Sequence, residues 1–350
     1  MKVKTQIDKI LSTFSNNKFR FLPRKKFDWD NAYEKCKTKL VYYSSNYIDF
    51  RIECFIGNSV ECKDFSFGVE LNKEIVALIP LFYFPKSKKN KISFLEDAIS
   101  PPIFINNISQ KLEKEISSIL VEKLKLLNRE LKSNDILIID QLYPTNNLSI
   151  WHKTVLEYTE KCNVLRESFV NLELEYKQIR ANYRKSYKSL ISKGYKIFKP
   201  YKYKFQELNS DVWNEFKKLH FKSAGKKTRS EQSWDLLYED LNKQKSNFYY
   251  CRGTDNSMVG GSLIMKNKFE ALYAIAAYNR ELFNLPIGHM LQDYIIRDLI
   301  KTDLKWYRLG RFYRNSDFDK PTEKEIQIAK FKSGFSTDIV ATFRFSDFKL

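Results

Sequence analysis

The strongest structural signal in this sequence is the stretch 258–300, which reads MVGGSLIMKNKFEALYAIAAYNRELFNLPIGHMLQDYIIRDLI. Two runs rich in apolar and aromatic residues, 258–265 and 269–277, flank a short polar turn, and this pattern predicts a β-hairpin. From 286 to 300 apolar residues recur at helical spacing, and Pro286 suits the first turn of a helix. The stretch therefore predicts a hairpin that leads into an amphipathic helix.

The sequence on both sides of this stretch predicts the same order of elements twice. After the hairpin and helix we expect a strand at 306–309, a helix at 322–332 and a strand at 339–345. The first half offers a hairpin at 65–71 and 75–83, a helix at 109–131 capped by Ser109, a strand at 135–142, a helix at 148–158 and a strand at 164–172. Both halves follow the order β-β-α-β-α-β. We predict a mixed α/β protein of the α+β class with two tandem domains, 1–165 and 166–350, each a mostly antiparallel sheet flanked by helices.

The segment that joins the two repeats is basic and predicted to be helical. We expect a helix at 175–193 that Gly194 ends, and a second helix at 211–221 with an apolar inner face. Ser233 is expected to cap a helix that starts at Trp234.

Composition bounds the kinds of protein this can be. The chain has 350 residues, is 43% hydrophobic and carries a net charge of +19. Such a charge attracts polyanions, such as nucleic acid, anionic lipid headgroups or phosphorylated substrates, although an AT-rich genome would also enrich lysine. The chain contains 10 glycines, and this scarcity argues against glycine-rich phosphate loops. Walker A, G-x-G-x-x-G and G-x-S-x-G patterns are absent from the sequence, which disfavours kinases, Rossmann oxidoreductases and α/β-hydrolases.

Cysteine and histidine usage argues against disulfides and metal. The five cysteines contain no C-x-x-C pair, which fits free thiols in a reducing compartment. His152, His220 and His289 lie far apart in the sequence, so we predict no metal site and no tightly bound cofactor. The N-terminus does not resemble a signal peptide, and the longest apolar run is about half the ~20 residues that span a bilayer. We expect a cytoplasmic protein without a transmembrane segment, and peripheral contact with a membrane stays open.

Spaced motifs in the second half resemble a known family. Residues 219–234 follow L-H-x-x-x-A-G-x-x-T-R-S-x-x-S-W, and three further runs follow in order: N-R-E to P-I-G-H at 279–289, L-G-R at 309–311 and F-K-x-G-F at 331–335. Together they resemble the FemAB-like family of the GNAT acyltransferase superfamily. The resemblance spans roughly 166–335, and the first half carries only the repeated topology.

This resemblance implies both a fold and a reaction. It implies two GNAT-like domains that transfer an acyl or aminoacyl group to an amine or hydroxyl of a cell-envelope sugar or peptide precursor, as in polysaccharide or peptidoglycan-bridge synthesis. The co-substrate would be acyl-CoA or aminoacyl-tRNA. The partner would be a phosphorylated or nucleotide-linked precursor, with tRNA open as a second partner. Since the first half has no family motif, we expect that it lacks a site of its own.

The resemblance and the residue chemistry together select the candidate site. Lys332 in F-K-x-G-F is associated in the family with substrate phosphate and with charge in the transition state, although a lysine near a helix C-terminus is also favourable without function. We expect Gly334 to end that helix in left-handed geometry. Arg229 and Arg311, in the family's motifs, are assigned to substrate or cofactor binding, with a surface role as the alternative.

Further candidates come from helix ends and titratable side chains. Gly288, at a helix N-terminus, would let a phosphate-bearing group approach the backbone. His220 and His289 could act as general bases, or they could be packing histidines. Arg180 and Arg184, in the basic helix, could hold phosphates by bidentate contacts or lie on a solvated face.

A second functional class also fits the composition. Tyrosines alternate with lysines at 195–204, and tyrosines can stack on bases while lysines neutralise phosphates. A non-catalytic RNA-binding module therefore remains an alternative, although no RRM, KH or zinc-knuckle pattern supports it.

Overall fold

The computed structural model of the chain describes residues 4–85, 90–95, 98–131, 138–140, 148–203 and 210–348. The N-terminal unit comprises Met1–Ile48, Ser59–Leu165 and Ala341–Leu350, and the C-terminal unit comprises Asp49–Asn58 and Arg166–Val340. The division thus departs from the domains 1–165 and 166–350 in two segments. The first, 49–58, contains most of one helix. The second starts at Ala341, and its described residues 341–348 belong to the last strand, part of which pairs with a strand of the N-terminal unit.

The N-terminal unit contains many short elements. Its helices are α1 (Lys4–Phe14), α2 (Trp29–Glu34), the start of α3 (Ser45–Gly57), α4 (Gln110–Glu130) and α5 (Ile150–Tyr158), with 3-10 turns at Arg24–Lys26 and Val41–Tyr43. Its strands are β1 (Arg20–Pro23), β2 (Lys63–Asp64), β3 (Phe67–Leu71), β4 (Glu74–Ile79), β5 (Phe82–Phe84), β6 (Lys91–Ser93), β7 (Ile103–Phe104) and β8 (Ile138–Asp140). Of the expected strand 135–142, residues 138–140 are strand β8 and the others lie outside the described residues.

The core of the N-terminal unit joins a sheet to amphipathic helices. β1, β3, β4 and β7 form an antiparallel sheet in that order, and β2, β5 and β6 form a second sheet. Phe14 of α1, Phe67 of β3, Leu120 of α4 and Trp151 of α5 share one buried cluster. The expected N-cap is confirmed, because the Ser109 hydroxyl accepts a hydrogen bond from a backbone N–H of the first turn of α4.

The C-terminal unit alternates long strands with longer helices. Its helices are α6 (Tyr176–Asn182), α7 (Lys185–Ile197), α8 (Ser210–Ala224), α9 (Glu231–Asn242), α10 (Ile287–Leu299) and α11 (Glu323–Ser333), with a 3-10 turn at Arg280–Leu282. Its strands are β9 (Thr159–Asn171), β10 (Lys199–Lys202), β11 (Ser246–Arg252), β12 (Met258–Lys266), β13 (Glu270–Tyr278), β14 (Trp306–Arg311) and β15 (Asp338–Phe348), of which β9 and β15 begin or end in the N-terminal unit. The mixed α+β class and the predicted hairpin–helix stretch are confirmed.

The sheet of the C-terminal unit places its strands in the order β10-β11-β12-β13-β14-β9. All neighbours are antiparallel except β13 and β14, which run parallel. The parallel pair follows from the chain, since α10 connects β13 to β14 as a crossover. The core on the α10 side contains Leu291 and Ile295 of that helix, Ile264 of β12 and Tyr307 of β14.

The basic segment forms two helices instead of the single helix expected at 175–193. Tyr183 and Arg184 take extended backbone angles and separate α6 from α7. Gly194 does not end α7, which continues to Ile197. The glycine is needed for packing, because a Cβ at this position would lie 2.5 Å from the Cβ of Met290 on α10.

Two expected helix ends are also wrong. α9 begins at Glu231, and its N-cap is Ser230, whose hydroxyl accepts from the Ser233 N–H at 3.1 Å. Ser233 is buried inside the helix. Gly334 is not left-handed, since its φ is −67°. A glycine is needed at this position for packing, because a Cβ there would overlap with the Tyr187 ring.

Candidate active site

A cleft opens in the C-terminal unit where two strands separate. Among the described residues, the parallel pairing of β13 with β14 ends at Leu272 and Arg308. The cleft has a volume of about 820 Å³. The rest of β13, the segment 280–285, the first turn of α10, one face of α11 and the end of α8 line it. Parallel strands that part in this way leave backbone N–H and C=O groups of β13 available to a ligand.

The cleft brings together four of the residues selected from the sequence. Lys332, His220, His289 and Gly288 all line it. They come from the ends of three helices, α11, α8 and α10, which the sequence separates by up to 112 positions (332 − 220). The fold therefore places the two histidines and the lysine around one space.

Lys332 projects from the last turn of α11 into the cleft. Its half-buried ammonium lies over the ring of Tyr273, 5.0 Å from the ring centroid, in a cation–π contact. Gly310 on β14 lies next to it: its φ of +106° favours glycine, and a Cβ there would contact Lys332 Nζ at 3.4 Å, an ordinary van der Waals distance. The Tyr273 ring and the bulged turn at Gly310 thus fix the position of the charge.

A pair of tyrosines on β13 forms part of the site and was not predicted. The hydroxyls of Tyr273 and Tyr278 lie 3.0 Å apart, and Ser262 Oγ lies 3.3 Å from the Tyr278 hydroxyl. Burial raises the pKa of Tyr273 and raises that of Tyr278 well above its usual value, so both hydroxyls stay protonated at neutral pH.

A β-bulge explains why the sequence did not reveal this pair. Residues five apart point to opposite faces of a regular strand. The register shifts between Leu263 and Ile264, which pair with Ile275 and Tyr273, so Ala274 is an extra residue on β13. Such a residue brings Tyr273 and Tyr278 to the same face. Because a bulge has no distinct sequence pattern here, only the hydroxyl-bearing aromatics themselves could have drawn attention.

His289 lies in the first turn of α10 among aromatic rings. Its ring centroid is 4.4 Å from that of Tyr187 and 5.2 Å from that of Phe331. Burial, and to a smaller extent the Arg184 guanidinium, lowers the pKa of His289 to about 4. The imidazole is therefore neutral at physiological pH and able to accept a proton.

His220, unlike His289, accepts a hydrogen bond from an arginine side chain. Arg229 Nη1 lies 2.7 Å from His220 Nε2. An arginine only donates, so Nε2 accepts and the ring proton of neutral His220 resides on Nδ1. Burial, followed by the Arg229 charge, lowers the pKa of His220 to about 4. Its Nε2 is thus occupied, which disfavours a general-base role through that atom and leaves Nδ1–H as a donor.

The other selected arginines lie outside the lining of the cleft. Arg184 donates to the Lys330 carbonyl at 2.8 Å and so holds the start of α7 against α11. Arg180 donates to Tyr176 at 3.3 Å, next to the buried Asp293. Arg311 forms two hydrogen bonds with Asp319, of 2.5 and 2.8 Å. Arg184 thus joins two helices, Arg311 joins β14 to the loop before α11, and the contact of Arg180 lies within α6.

A second pocket, of about 390 Å³, shares His220 with the cleft. Its lining is rich in cations and contains Lys217, Lys218, Phe221, Lys226, Lys227, Thr228, Arg229, Glu231 and Trp234. Arg229 therefore faces this pocket and touches the cleft through His220. Lys217 is paired with Glu231 at 2.5 Å.

Two further features of the part of the chain that the structure describes concern metal ligands and membrane-spanning helices. No group of three His, Cys, Asp or Glu side chains there is placed to hold a metal ion. Within the same residues, every helix is too short or too polar to cross a bilayer.

The fold is similar to that of several solved proteins. FemX matches with a TM-score of 0.64 at 11% identity, over 93% of this chain and 97% of FemX. A domain assigned as the C-terminal part of a lysylphosphatidylglycerol synthetase from Agrobacterium fabrum matches with a TM-score of 0.54 at 10% identity, over 77% of this chain and 80% of that domain. A conserved protein of unknown function from Bacteroides thetaiotaomicron matches with a TM-score of 0.53 at 7% identity, over 99% of this chain and 98% of that protein.

Sequence comparison gives no further relatives, since no protein-family model and no curated protein sequence matches. The sequence identities of 7–11% are too low to transfer a function, so these matches show a similar fold and no more. The chain therefore has a fold similar to that of FemX, in agreement with the fold that the resemblance of its motifs implied.

Proposed function

We propose that this protein transfers an acyl or aminoacyl group from an activated donor, acyl-CoA or aminoacyl-tRNA, to an amine or hydroxyl of a cell-envelope sugar or peptide precursor. The observation that carries the proposal is the convergence of Lys332, His289 and Gly288 in one cleft at the parting strands of a FemX-like fold. These residues stand in motifs that resemble the FemAB-like family.

The first task of such a site is to hold the donor beside the nucleophile. The exposed edge of β13 beyond Leu272 offers backbone groups to an extended carrier. The start of α10 at Gly288 offers an N–H group without an intrahelical partner and a partial positive charge, which suit an anionic group. The neighbouring Ile287 N–H donates instead to the Leu285 carbonyl at 2.9 Å. Holding two reactants in this way replaces a bimolecular encounter and lowers the barrier.

The second task is charge and proton control. The nucleophile attacks the donor's carbonyl carbon and gives a tetrahedral intermediate with negative charge on oxygen. The Lys332 ammonium, fixed on Tyr273, is the candidate that stabilises this charge. His289, which lines the cleft, is the candidate that takes the nucleophile's proton, and its lowered pKa makes it a weak base for this role. The protonated Tyr273–Tyr278 pair is the candidate donor to the leaving group.

A direct assay tests the proposal. Purified protein is incubated with an acyl-CoA or an aminoacyl-tRNA and with extracts that contain envelope precursors, and mass spectrometry searches for precursors that gain the mass of the group. Extracts from a strain that lacks the gene supply unmodified acceptor. A modified precursor that depends on Lys332 supports the proposal. Its absence with both donor classes, from protein shown to be folded, contradicts it.

The RNA-binding alternative has one structural observation in its favour. Tyr201 and Tyr250 stack at 5.2 Å with a 15° interplanar angle, and Lys199 lies 5.4 Å from the Tyr201 ring centroid. This alternative predicts tight binding of generic single-stranded RNA with a steep dependence on salt. A transferase that uses acyl-CoA instead gains thermal stability from that ligand.

A further inference from the structure

We propose that the cleft selects an uncharged aliphatic acyl group on a phosphate-bearing thioester, and disfavours an aminoacyl group with its ammonium. This inference rests on the proposed acyl transfer and names the donor class for it. Three properties of the lining support it: its apolar walls, the sign of its charges and its size.

The walls of the cleft are largely hydrocarbon. Ala274 and Ala276 of β13 and Ile287 of α10 line it, together with Leu282 and Leu285. Ile287 is buried. Surfaces of this kind gain affinity from each methylene they remove from water, by roughly fourfold per CH₂ when burial is complete. An acyl chain several carbons long would therefore bind more tightly than a short one.

The mouth of the cleft continues the apolar wall. Phe283 is 65% exposed and Ile328 is 45% exposed, and both line the cleft. Large hydrophobic side chains exposed at a functional site indicate a ligand or partner that covers them. An aliphatic chain that runs along the cleft would cover both.

The charges in the cleft have one sign. The charged side chains among the described lining residues are Lys332, Lys324 and Arg280. Glu281, adjacent in sequence to Arg280, is paired with Lys222 at 2.8 Å. Lys332 is half-buried, whereas Lys324 and Arg280 are exposed to solvent. Together the three cations repel the ammonium of an aminoacyl group and attract the phosphates of a carrier, and the charge of Lys332 is the least screened by solvent. The charges of the cleft thus disfavour an aminoacyl donor and favour an uncharged acyl group on a phosphate-bearing carrier.

The volume also fits a chain longer than acetyl. At about 820 Å³ the cleft lies in the upper part of the range of roughly 300–1,000 Å³ typical of small-molecule sites. Ala274 and Ala276 keep the β13 wall open, since larger side chains there would project into the space. The donor's reactive carbonyl and its aliphatic tail can both be accommodated.

The chemical step is balanced without a further reactant. The amine nitrogen or hydroxyl oxygen of the acceptor attacks the thioester carbonyl, a C–N or C–O bond forms, and the C–S bond breaks. The proton lost by the acceptor ends on the departing thiolate, so the products are the acylated acceptor and the free thiol. No group is oxidised or reduced.

A matched pair of donors tests the inference. Propionyl-CoA and glycyl-CoA differ only in a methyl group against an ammonium, and analogues with methylene in place of sulfur resist hydrolysis. Calorimetric titration of the full chain should give an affinity at least about tenfold higher for the propionyl analogue, because repulsion of ~1.4 kcal/mol corresponds to that factor. The hexanoyl analogue should bind about tenfold or more tightly than the propionyl analogue.

A variant and its control test whether the acyl chain lies along the wall that contains Phe283. Phe283→Ala should reduce the advantage of hexanoyl over propionyl, whereas Phe318→Ala, which changes a 44% exposed phenylalanine outside the lining, should leave it unchanged. Both side chains are exposed enough for the fold to tolerate the change. An unaltered chain-length preference in Phe283→Ala contradicts the placement of the chain along this wall.

The remaining outcomes separate this inference from the proposed function. Equal or tighter binding of the glycyl analogue overturns the inference and leaves acyl transfer itself standing, with an aminoacyl donor. Failure of every analogue to bind overturns the inference as well. If aminoacyl-tRNA then also yields no product, the proposed function fails with it.

Discussion

At the scale of single residues, the position of Lys332 distinguishes function from helix-end stabilisation. A lysine that only complements a helix dipole needs no fixed place, whereas this ammonium lies over Tyr273 and beside Gly310. We expect Lys332→Ala to keep the melting temperature within a few degrees and to lower kcat/KM roughly ten- to a thousand-fold, the scale of ~1.4 to 4 kcal/mol of transition-state stabilisation. Steady-state kinetics and a thermal melt measure the two effects.

The control for this variant is Lys332→Arg. The planar guanidinium is larger than an ammonium and spreads its charge over three nitrogens, so the arginine should restore only part of the activity. Turnover like that of the wild type in Lys332→Ala would return the residue to helix-end stabilisation.

The two buried histidines make stability depend on pH. Burial lowers the pKa of both His289 and His220 to about 4, while in the unfolded chain each titrates near 6.5. Between these values the unfolded state binds more protons, so the free energy of unfolding rises with pH and falls as the pH is lowered from about 6.5 toward 4. We expect the melting temperature to decrease over this window.

Substitution of each histidine shows how much of the pH dependence of the melting temperature comes from that side chain and how much from other titrating groups. His289→Gln and His220→Gln should each flatten the dependence of melting temperature on pH, since glutamine does not titrate. The profiles are compared with that of the wild type in the same buffers. A His289→Gln profile parallel to the wild-type profile would show that His289 is not buried as the structure places it.

At the scale of elements, glycines set how closely helices approach. Gly194 of α7 lies against Met290 of α10, where an added Cβ would be 2.5 Å from the methionine Cβ. We expect Gly194→Ala to destabilise the protein by about 1–3 kcal/mol through overpacking, although alanine is the better helix former. Chemical denaturation measures the change. Ser192→Ala, on the exposed side of the same helix, should stay within ~0.5 kcal/mol, and an equal loss in both variants would contradict a packing role.

Substitution of Gly288, at the start of α10, tests whether this glycine is needed for donor binding or for folding. A Cβ at Gly288 would lie 3.1 Å from the Phe331 ring, which lines the cleft and is half-buried. Because Phe331 can give way toward the cleft, we expect Gly288→Val to raise the KM for the donor strongly while the melting temperature changes little. Donor titration and a thermal melt report the two effects separately. Loss of the fold without a separable binding defect would favour a structural role.

The sequence predicted the elements of the C-terminal unit better than their ends. The hairpin of β12 and β13 and helix α10 appear as the periodicity indicated, because each buries a continuous apolar face. The break at Tyr183 and the cap at Ser230 depend on tertiary contacts: Arg184 is held by α11, and the Ser230 hydroxyl reaches the Glu53 carbonyl. Contacts over such distances in sequence leave no local pattern.

The candidate site was predictable only in part, because some of its features also depend on contacts between residues far apart in the sequence. Lys332, His289 and His220 stand in recognisable motifs. The Tyr273–Tyr278 pair depends on a bulge, and the buried Arg308, which bonds Glu270 at 3.1 Å and also pairs with Glu167, depends on three strands meeting. Glu270 is the first and Leu272, opposite Arg308, the last paired residue of β13, so this ion cluster spans the paired segment next to the cleft.

At the scale of the whole molecule, the repeated topology raises the question of which unit carries the activity. The order β-β-α-β-α-β occurs in both halves as β3-β4-α4-β8-α5-β9 and β12-β13-α10-β14-α11-β15, with β5, β6 and β7 inserted in the first. All recognised motifs fall between 166 and 335. That the N-terminal half has no site of its own remains a prediction, and the N-terminal unit offers a place to test it.

A lysine-lined pocket of about 510 Å³ in the N-terminal unit provides that test. Lys111 of α4 and Lys153 of α5 are exposed and line it. If the first half has no site, the double variant Lys111→Ala/Lys153→Ala should keep kcat/KM within about twofold, the usual effect of exposed substitutions, while Lys332→Ala in parallel loses activity. Both lysines can be removed safely, since exposed charges contribute little stability. A tenfold loss of kcat/KM with an unchanged melting temperature would instead give the N-terminal unit a part in binding an anionic substrate.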